Sequence, residues 1–181
     1  RYVVVADGAN SRFGRALGTA RNREYPQGMA IRTYYESPLH DDPWIESALD
    51  VRDRNGNSLP GYGWIFPLGG GQVNVGVGTL ATTKRPADVA IKPLMKHYTD
   101  LRRDDFALTG EQRMPTSALL PMGGAVSNVA GANWALIGDA AACINPLNGE
   151  GIDYGLETGR LLVDHLDADL SVVWPALLQE N

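Results

Sequence analysis

The stretch Trp134-Ala135-Leu136-Ile137-Gly138-Asp139-Ala140-Ala141, followed by Asn145-Pro146-Leu147-Asn148-Gly149-Glu150-Gly151-Ile152-Asp153, decides how the rest of the chain is read. Residues 134–137 form an unbroken apolar run, the pattern of a strand buried on both faces. The run stops at Gly138-Asp139, which puts the carboxylate at the carboxyl end of the strand, where open α/β sheets take up ligands. Gly138 permits close approach of the backbone, and an ionised Asp139 accepts hydrogen bonds from hydroxyl groups. The Asn148-Gly149-Glu150-Gly151 segment then opens a helix predicted over about 149–166, whose free amides and positive dipole end suit an electron-rich group. Each half also occurs in α/β proteins that hold no cofactor. Their spacing, Asp139 twelve residues before Gly151, favours one composite site. Along the helix Ile152, Leu156, Gly159, Val163 and Leu166 recur at helical spacing and are expected in the core. Gly155 and Gly159, one turn apart, imply close packing on a sheet or ligand, because each interior glycine costs about 1 kcal/mol relative to alanine.

Outward from there, residues 2–6 (Tyr-Val-Val-Val-Ala) predict a second buried strand. Asp7-Gly8-Ala9-Asn10 reads as a turn, and Asn10 or Ser11 as the cap of a short helix from Arg12 to Leu17. Between Met29 and Val77 the pattern turns β-like, with strands predicted at 30–35, 48–51, 64–66 and 73–77. Asn55-Gly56 and Gly69-Gly70-Gly71 punctuate it as hairpin loops, so the sheet is expected to be antiparallel. A helix is predicted over 86–101, opened by Pro86 and broken or restarted at Pro93, and a further strand over 117–120. In Tyr62-Gly63-Trp64-Ile65-Phe66-Pro67 the three aromatics share one face of a strand. That alternation by itself is as compatible with ordinary sheet core as with a binding wall.

Net charge is -5 from 16 Lys+Arg and 21 Asp+Glu, with basic residues scattered, which argues against nucleic-acid binding. The single cysteine excludes an internal disulfide framework. Three dispersed histidines offer no metal-ligand spacing, and the expected metal content is none. A reduced, cytoplasmic setting fits this composition, and no apolar run reaches the roughly 20 residues of a membrane-spanning helix. Cys143 reads as a small buried thiol filling space, and His40 as part of a polar loop.

Gly138-Asp139 with its following helix resembles the second FAD motif of the flavoprotein hydroxylase and reductase superfamily. Asp7-Gly8-Ala9-Asn10-Ser11-Arg12 resembles its Asp-Gly motif, with Asp7, Gly8, Ser11 and Arg12 matching. Tyr62-Gly63-Trp64-Ile65-Phe66-Pro67, followed after eight residues by Gly76-Val77-Gly78, resembles the signature of the geranylgeranyl reductase family within it, nearest to actinobacterial members that act on menaquinone. The resemblance implies a mixed α/β fold: a partial Rossmann-like FAD-binding domain formed by 1–27 and 117–181, with an inserted, mainly antiparallel substrate domain over 28–116. It implies FAD as cofactor, held through Asp7, Gly8, Arg12, Gly138, Asp139, Gly149, Gly151 and Ile152. It also implies a substrate surface of Tyr62, Trp64, Phe66, Pro67, Gly76 and Gly78.

The implied reaction is saturation of a C=C bond in a lipophilic isoprenoid, with NAD(P)H or a ferredoxin-like protein as electron donor. Peripheral contact with the inner face of the cell membrane follows from the substrate's solubility. No residue carries the signature of a proton donor, so the catalytic residue is unassigned. The Gly-x-Gly-x-x-Gly turn expected for the FAD pyrophosphate does not occur near the amino end. The chain therefore reads, alone, as a weak FAD binder without activity; because Arg1 leads straight into the strand at 2–6 and the amphipathic-looking segment at 172–178 is cut off at Asn181, it also reads as truncated at both ends. The competing readings are an aromatic hydroxylase or halogenase of the same superfamily and a non-catalytic fragment.

Overall fold

Val3, Val4 and Val5 lie alongside Trp134, Ala135 and Leu136 as a parallel pair of strands, so segments some 130 residues apart in sequence are neighbours. The computed structural model describes all residues except 83, 85–88 and 181. In chain order the elements are β1 (Val3–Val5), α1 (Arg12–Ala16), β2 (Ala20–Arg21), β3 (Gln27–Glu36), β4 (Glu46–Ala48), β5 (Gly61–Pro67), β6 (Gln72–Ala81), α2 (Ile91–Arg102), β7 (Thr109–Pro121), β8 (Val126–Ser127), β9 (Ala130–Gly131), β10 (Trp134–Leu136), a 3-10 turn (Gly138–Ala141), α3 (Ile152–Val163) and α4 (Leu170–Glu180). They divide into two compact units, one of residues 1–28, 82–85 and 119–181, the other of 29–81 and 86–118. The fold is mixed α/β.

In the first unit a three-stranded sheet runs β1-β10-β9, parallel then antiparallel, and β2 pairs with β8. Ala135 and Leu136 are fully buried, as the apolar run predicts. α4 packs Trp174, wholly buried, against this layer, and its indole N–H donates to Leu136 O at 2.7 Å, so the ring's polar atom is satisfied. α1 is capped as expected by Ser11, whose Oγ accepts from Gly14 N at 2.8 Å.

The second unit holds a five-stranded sheet, β4-β5-β6-β3-β7. β5 and β6 form a hairpin across Gly69-Gly70-Gly71, all three at positive φ, which is why that loop needs glycine. On β6 Val73, Val75 and Val77 are fully buried, and with Ile65 of β5, Ile31 and Tyr35 of β3 and Leu94, Met95 and Tyr98 of α2 they make the core of this unit. Each such side chain contributes roughly 1.5–3 kcal/mol by leaving water.

Several features differ from the sequence reading. The strand expected to be buried over 2–6 is β1 at Val3–Val5, an edge strand in which Val5 alone is buried and Val3 and Val4 are exposed. The strand expected at 48–51 is β4 at Glu46–Ala48, with Leu49 78% exposed. The strand expected at 117–120 is the last part of a thirteen-residue β7, whose exposed, polar first half lacks the apolar alternation that marks strands. α2 begins at Ile91, and Pro93 sits in its first turn, where no amide is needed for an intrahelical bond; it does not break the helix. The predicted start at Pro86 lies outside the described residues.

Candidate functional site

The parallel pairing of β1 with β10 brings the turn after each strand to the same edge of one sheet. Asp7-Gly8 follows β1 and Gly138-Asp139 follows β10, with Ile137 N–H donating to Val5 O at 3.0 Å between them. The two sequence motifs thus lie at the carboxyl ends of adjacent parallel strands, the ligand-binding edge of such sheets.

Asp7 is engaged locally. Its Oδ2 accepts from Arg12 N at 2.9 Å and Phe13 N at 3.0 Å, so it fixes the entry to α1. Burial pushes its pKa up, but hydrogen bonds from Ser11, Phe13 and Arg12 outweigh that, and the carboxyl titrates below the usual range. Gly8 adopts φ +80°, closed to most other residues. The Arg12 side chain is exposed and has no hydrogen-bond or ion-pair partner among the described residues.

Asp139 contrasts with Asp7. It is half-buried, its carboxylate has no hydrogen-bond partner among the described residues, and burial pushes its pKa up. Gly138, at φ +55°, donates its N–H to Thr158 Oγ1 at 3.0 Å, and a Cβ there would lie 3.3 Å from Gly155 Cα. Thr158 Oγ1 in turn donates to Tyr154 O at 2.7 Å. The strand end and α3 are therefore in backbone contact, which is what the interior glycine Gly155 permits; Gly159 similarly lies against Ile137.

Gly151 is the N-cap of α3 and provides no side-chain hydrogen bond to its first turn. A Cβ on Gly151 would stand 3.0 Å from Asp139 Oδ1, so the carboxylate lies directly beside the helix start. Gly149, φ +74°, shapes the preceding loop, in which Gly149 N donates to Asn145 O and Asn145 N donates to Glu150 O. The helix is shorter than predicted, Ile152–Val163.

The expectation that its apolar stripe is core is wrong for three residues: Ile152, Leu156 and Val163 are 86%, 74% and 65% exposed. The small residues choose the packed face. Gly155, Thr158, Gly159 and Leu162 let the helix settle onto the sheet, and Ile152, Leu156 and Val163 lie about a quarter-turn away. Of the predicted stripe, Gly159 and Leu166 face the packed side. A cavity of about 450 Å³ along the other flank of α3, bordered by Tyr154, Thr158 and Leu161, is lined by none of the predicted site residues.

Cys143 is largely buried, and burial first, then the nearby Asp139 carboxylate, push its pKa up to about 11.

In the second unit the three aromatics of β5 stand on the face opposite the core, since Gly63 and Ile65 point inward and Ile65 is 1% exposed. This decides against sheet core for Tyr62, Trp64 and Phe66. Their rings form a row, with centroids 5.6 Å apart for Tyr62–Trp64 and 6.1 Å for Trp64–Phe66. Tyr62 is paired with Gly78, Trp64 with Gly76, Phe66 with Asn74 and Pro67 with Val73. The indole lies across Gly76, whose missing side chain makes the room, and its edge comes within ordinary contact of Gly78.

Asn74 was not singled out by its sequence context. Trp64 Nε1 donates to Asn74 Oδ1 at 2.9 Å. The one sequence signal was its place two residues before Gly76 on the alternating strand.

No family model matches the chain. Menaquinone reductase of Mycobacterium tuberculosis is 61% identical over 182 residues, an alignment that takes in 100% of this chain and 45% of that protein. Digeranylgeranylglycerophospholipid reductase 2 of Methanopyrus kandleri is 32% identical over 163 residues, 89% of this chain and 40% of that one. The chain thus spans less than half the length of these curated relatives. Among solved structures, a geranylgeranyl bacteriochlorophyll reductase-like protein from Thermoplasma acidophilum superposes with a TM-score of 0.69 at 20% identity, over 99% of this chain and 46% of that one, a likeness of fold.

Proposed function

We propose that this chain, which belongs to the geranylgeranyl reductase family, supplies the flavin-ring side of a cofactor site and the substrate wall of an FAD-dependent reductase that saturates a C=C bond in an isoprenoid chain. The menaquinone side chain is the first candidate substrate, on the strength of the 61% identity to menaquinone reductase. The observation that carries the reading is the row Tyr62, Trp64 and Phe66, set outside the core on an accessible sheet face. Flat rings at this spacing suit an apolar chain, which gains by leaving water and needs no polar partner.

The residues at the sheet edge fit FAD. Gly151 leaves a side-chain-free cradle beside Asp139, the first turn of α3 has no side-chain cap, and Asp139 has no protein hydrogen-bond partner among the described residues. Asp139, Gly138, Gly149, Gly151 and Ile152 would hold the cofactor, with Asp7, Gly8 and Arg12 supporting it from the adjacent strand end. Bound FAD supplies hydride chemistry that no side chain possesses. The amides of Gly151 and Ile152 favour negative charge at the helix start. The aromatic row orients the prenyl chain and excludes water from it. NAD(P)H or a ferredoxin-like protein serves as electron donor, and substrate is collected at the membrane surface. No helix among the described residues is long and apolar enough to cross a membrane.

The test uses the full-length protein with reduced FAD and menaquinone, followed by product mass. Gain of two hydrogens by the side chain is expected, with loss of flavin and turnover in Asp139→Ala. Oxygen-dependent hydroxylation in place of saturation, or an Asp139→Ala variant as active as wild type, overturns the assignment.

A further inference from the structure

Asn74 stands opposite Phe66 on β6 and so belongs to the aromatic face. Its Oδ1 is committed to the indole N–H of Trp64 at 2.9 Å. An indole nitrogen donates and never accepts, so this bond fixes the amide's orientation, with oxygen toward Trp64 and the two N–H donors of Nδ2 turned away. Nδ2 has no protein partner among the described residues and is not among the buried unpaired polar atoms, so it is open to the face of the sheet. Gly76 contributes by keeping the indole flat beside it.

A donor pair left open in a wall of rings acts as a filter. In the free protein water satisfies it. When a ligand displaces that water, the donors stay unpaired and cost free energy unless the ligand brings an acceptor.

We infer that Asn74 is a specificity-determining residue of the prenyl wall, its Nδ2 donating to a carbonyl oxygen of a quinone-headed isoprenoid and so disfavouring prenyl hydrocarbons that lack oxygen. This rests on the reading of the aromatic face as the substrate wall.

The experiment compares menaquinone with a polyprenyl hydrocarbon of the same tail length, in the full-length enzyme carrying its cofactor. Asn74→Asp keeps an acceptor for the indole and removes the donors; Asn74→Leu removes both. For Asn74→Asp the expected result is a rise of about 3- to 10-fold in KM for menaquinone, the worth of one hydrogen bond, with kcat unchanged. KM for the hydrocarbon should rise less in Asn74→Asp, since the hydrocarbon loses no hydrogen bond and meets only the desolvation of the carboxylate, and in Asn74→Leu it should fall. Should the Asp variant not fold, the Leu variant carries the same comparison. Equal changes for the two substrates, or none for either, overturn the proposal. If wild-type enzyme reduces neither substrate, the functional reading fails, and quenching of tryptophan fluorescence by the two ligands still decides whether Asn74 discriminates between them.

Discussion

The indole of Trp64 occupies the space that a side chain on Gly76 would need. A Cβ on Gly76 would stand 2.0 Å from Trp64 Cζ2 and 2.2 Å from Cε2, and the two residues face each other across the β5–β6 hairpin. At Gly78 the nearest indole atom would be 3.8 Å away, an ordinary contact. Gly76→Ala is therefore expected to expel the indole from its seat and destabilise by about 1–3 kcal/mol, the cost of overpacking. Gly78→Ala should cost much less. Thermal unfolding with near-ultraviolet circular dichroism distinguishes them, and equal effects would show that the indole does not depend on Gly76.

Thr158 satisfies the buried N–H of Gly138 at 3.0 Å. Thr158→Val keeps the shape and removes the acceptor, which should cost about 1–3 kcal/mol because the amide is left unpaired. Thr158→Ser should retain most of the stability. Urea midpoints report this, and a Val variant as stable as wild type would mean that water replaces the hydroxyl.

Asp7 and Asp139 end adjacent strands yet shift in opposite directions, and this predicts opposite pH signatures. The Asp139 pKa is raised by burial, so its contribution is fully present below the unfolded value of about 3.9 and is lost as pH rises through the folded value. Asp139→Asn should raise the Tm of the cofactor-free chain at neutral pH, with the gain fading in acid. Burial also pulls the Asp7 pKa up, but its hydrogen bonds bring it below the ordinary value, so its contribution is present above about 3.9 and lost as pH falls through the folded value. Asp7→Ala should cost about 1 kcal/mol at neutral pH, with the deficit closing in acid. Tm measured from about pH 3 to 7 tests both signs.

Cys143, with its pKa pushed up to about 11 by burial and by Asp139, holds a thiol rather than a thiolate at neutral pH. Iodoacetamide should modify it slowly in the native chain at about pH 8, and at the rate of an ordinary thiol after denaturation, where the pKa returns to about 8.5. Rapid native alkylation would contradict the burial of this side chain.

Much of the fold was legible because it is written locally. The strand predicted at 134–137, the Gly69–Gly71 hairpin and the Ser11 cap each depend on residues close in sequence, and the structure shows all three, the strand ending one residue earlier at Leu136. β7 was half missed because its first residues are polar and exposed and show no period. Asn74 was missed because its role exists only across the hairpin, where it meets Trp64.

The sequence by itself determined which residues alternate on β5 and where the turns fall, and its spacing favoured a single site for Asp139 and Gly151. Only the tertiary structure decided which face of β5 is core, that α3 packs through Gly155, Thr158 and Leu162 and leaves Ile152, Leu156 and Val163 in solvent, and that Asp7 and Asp139 share one sheet edge. The reason is physical. Periodicity marks the faces of an element, but the face that is buried is set by the partner that approaches it, and at α3 the closest approach is made where side chains are smallest.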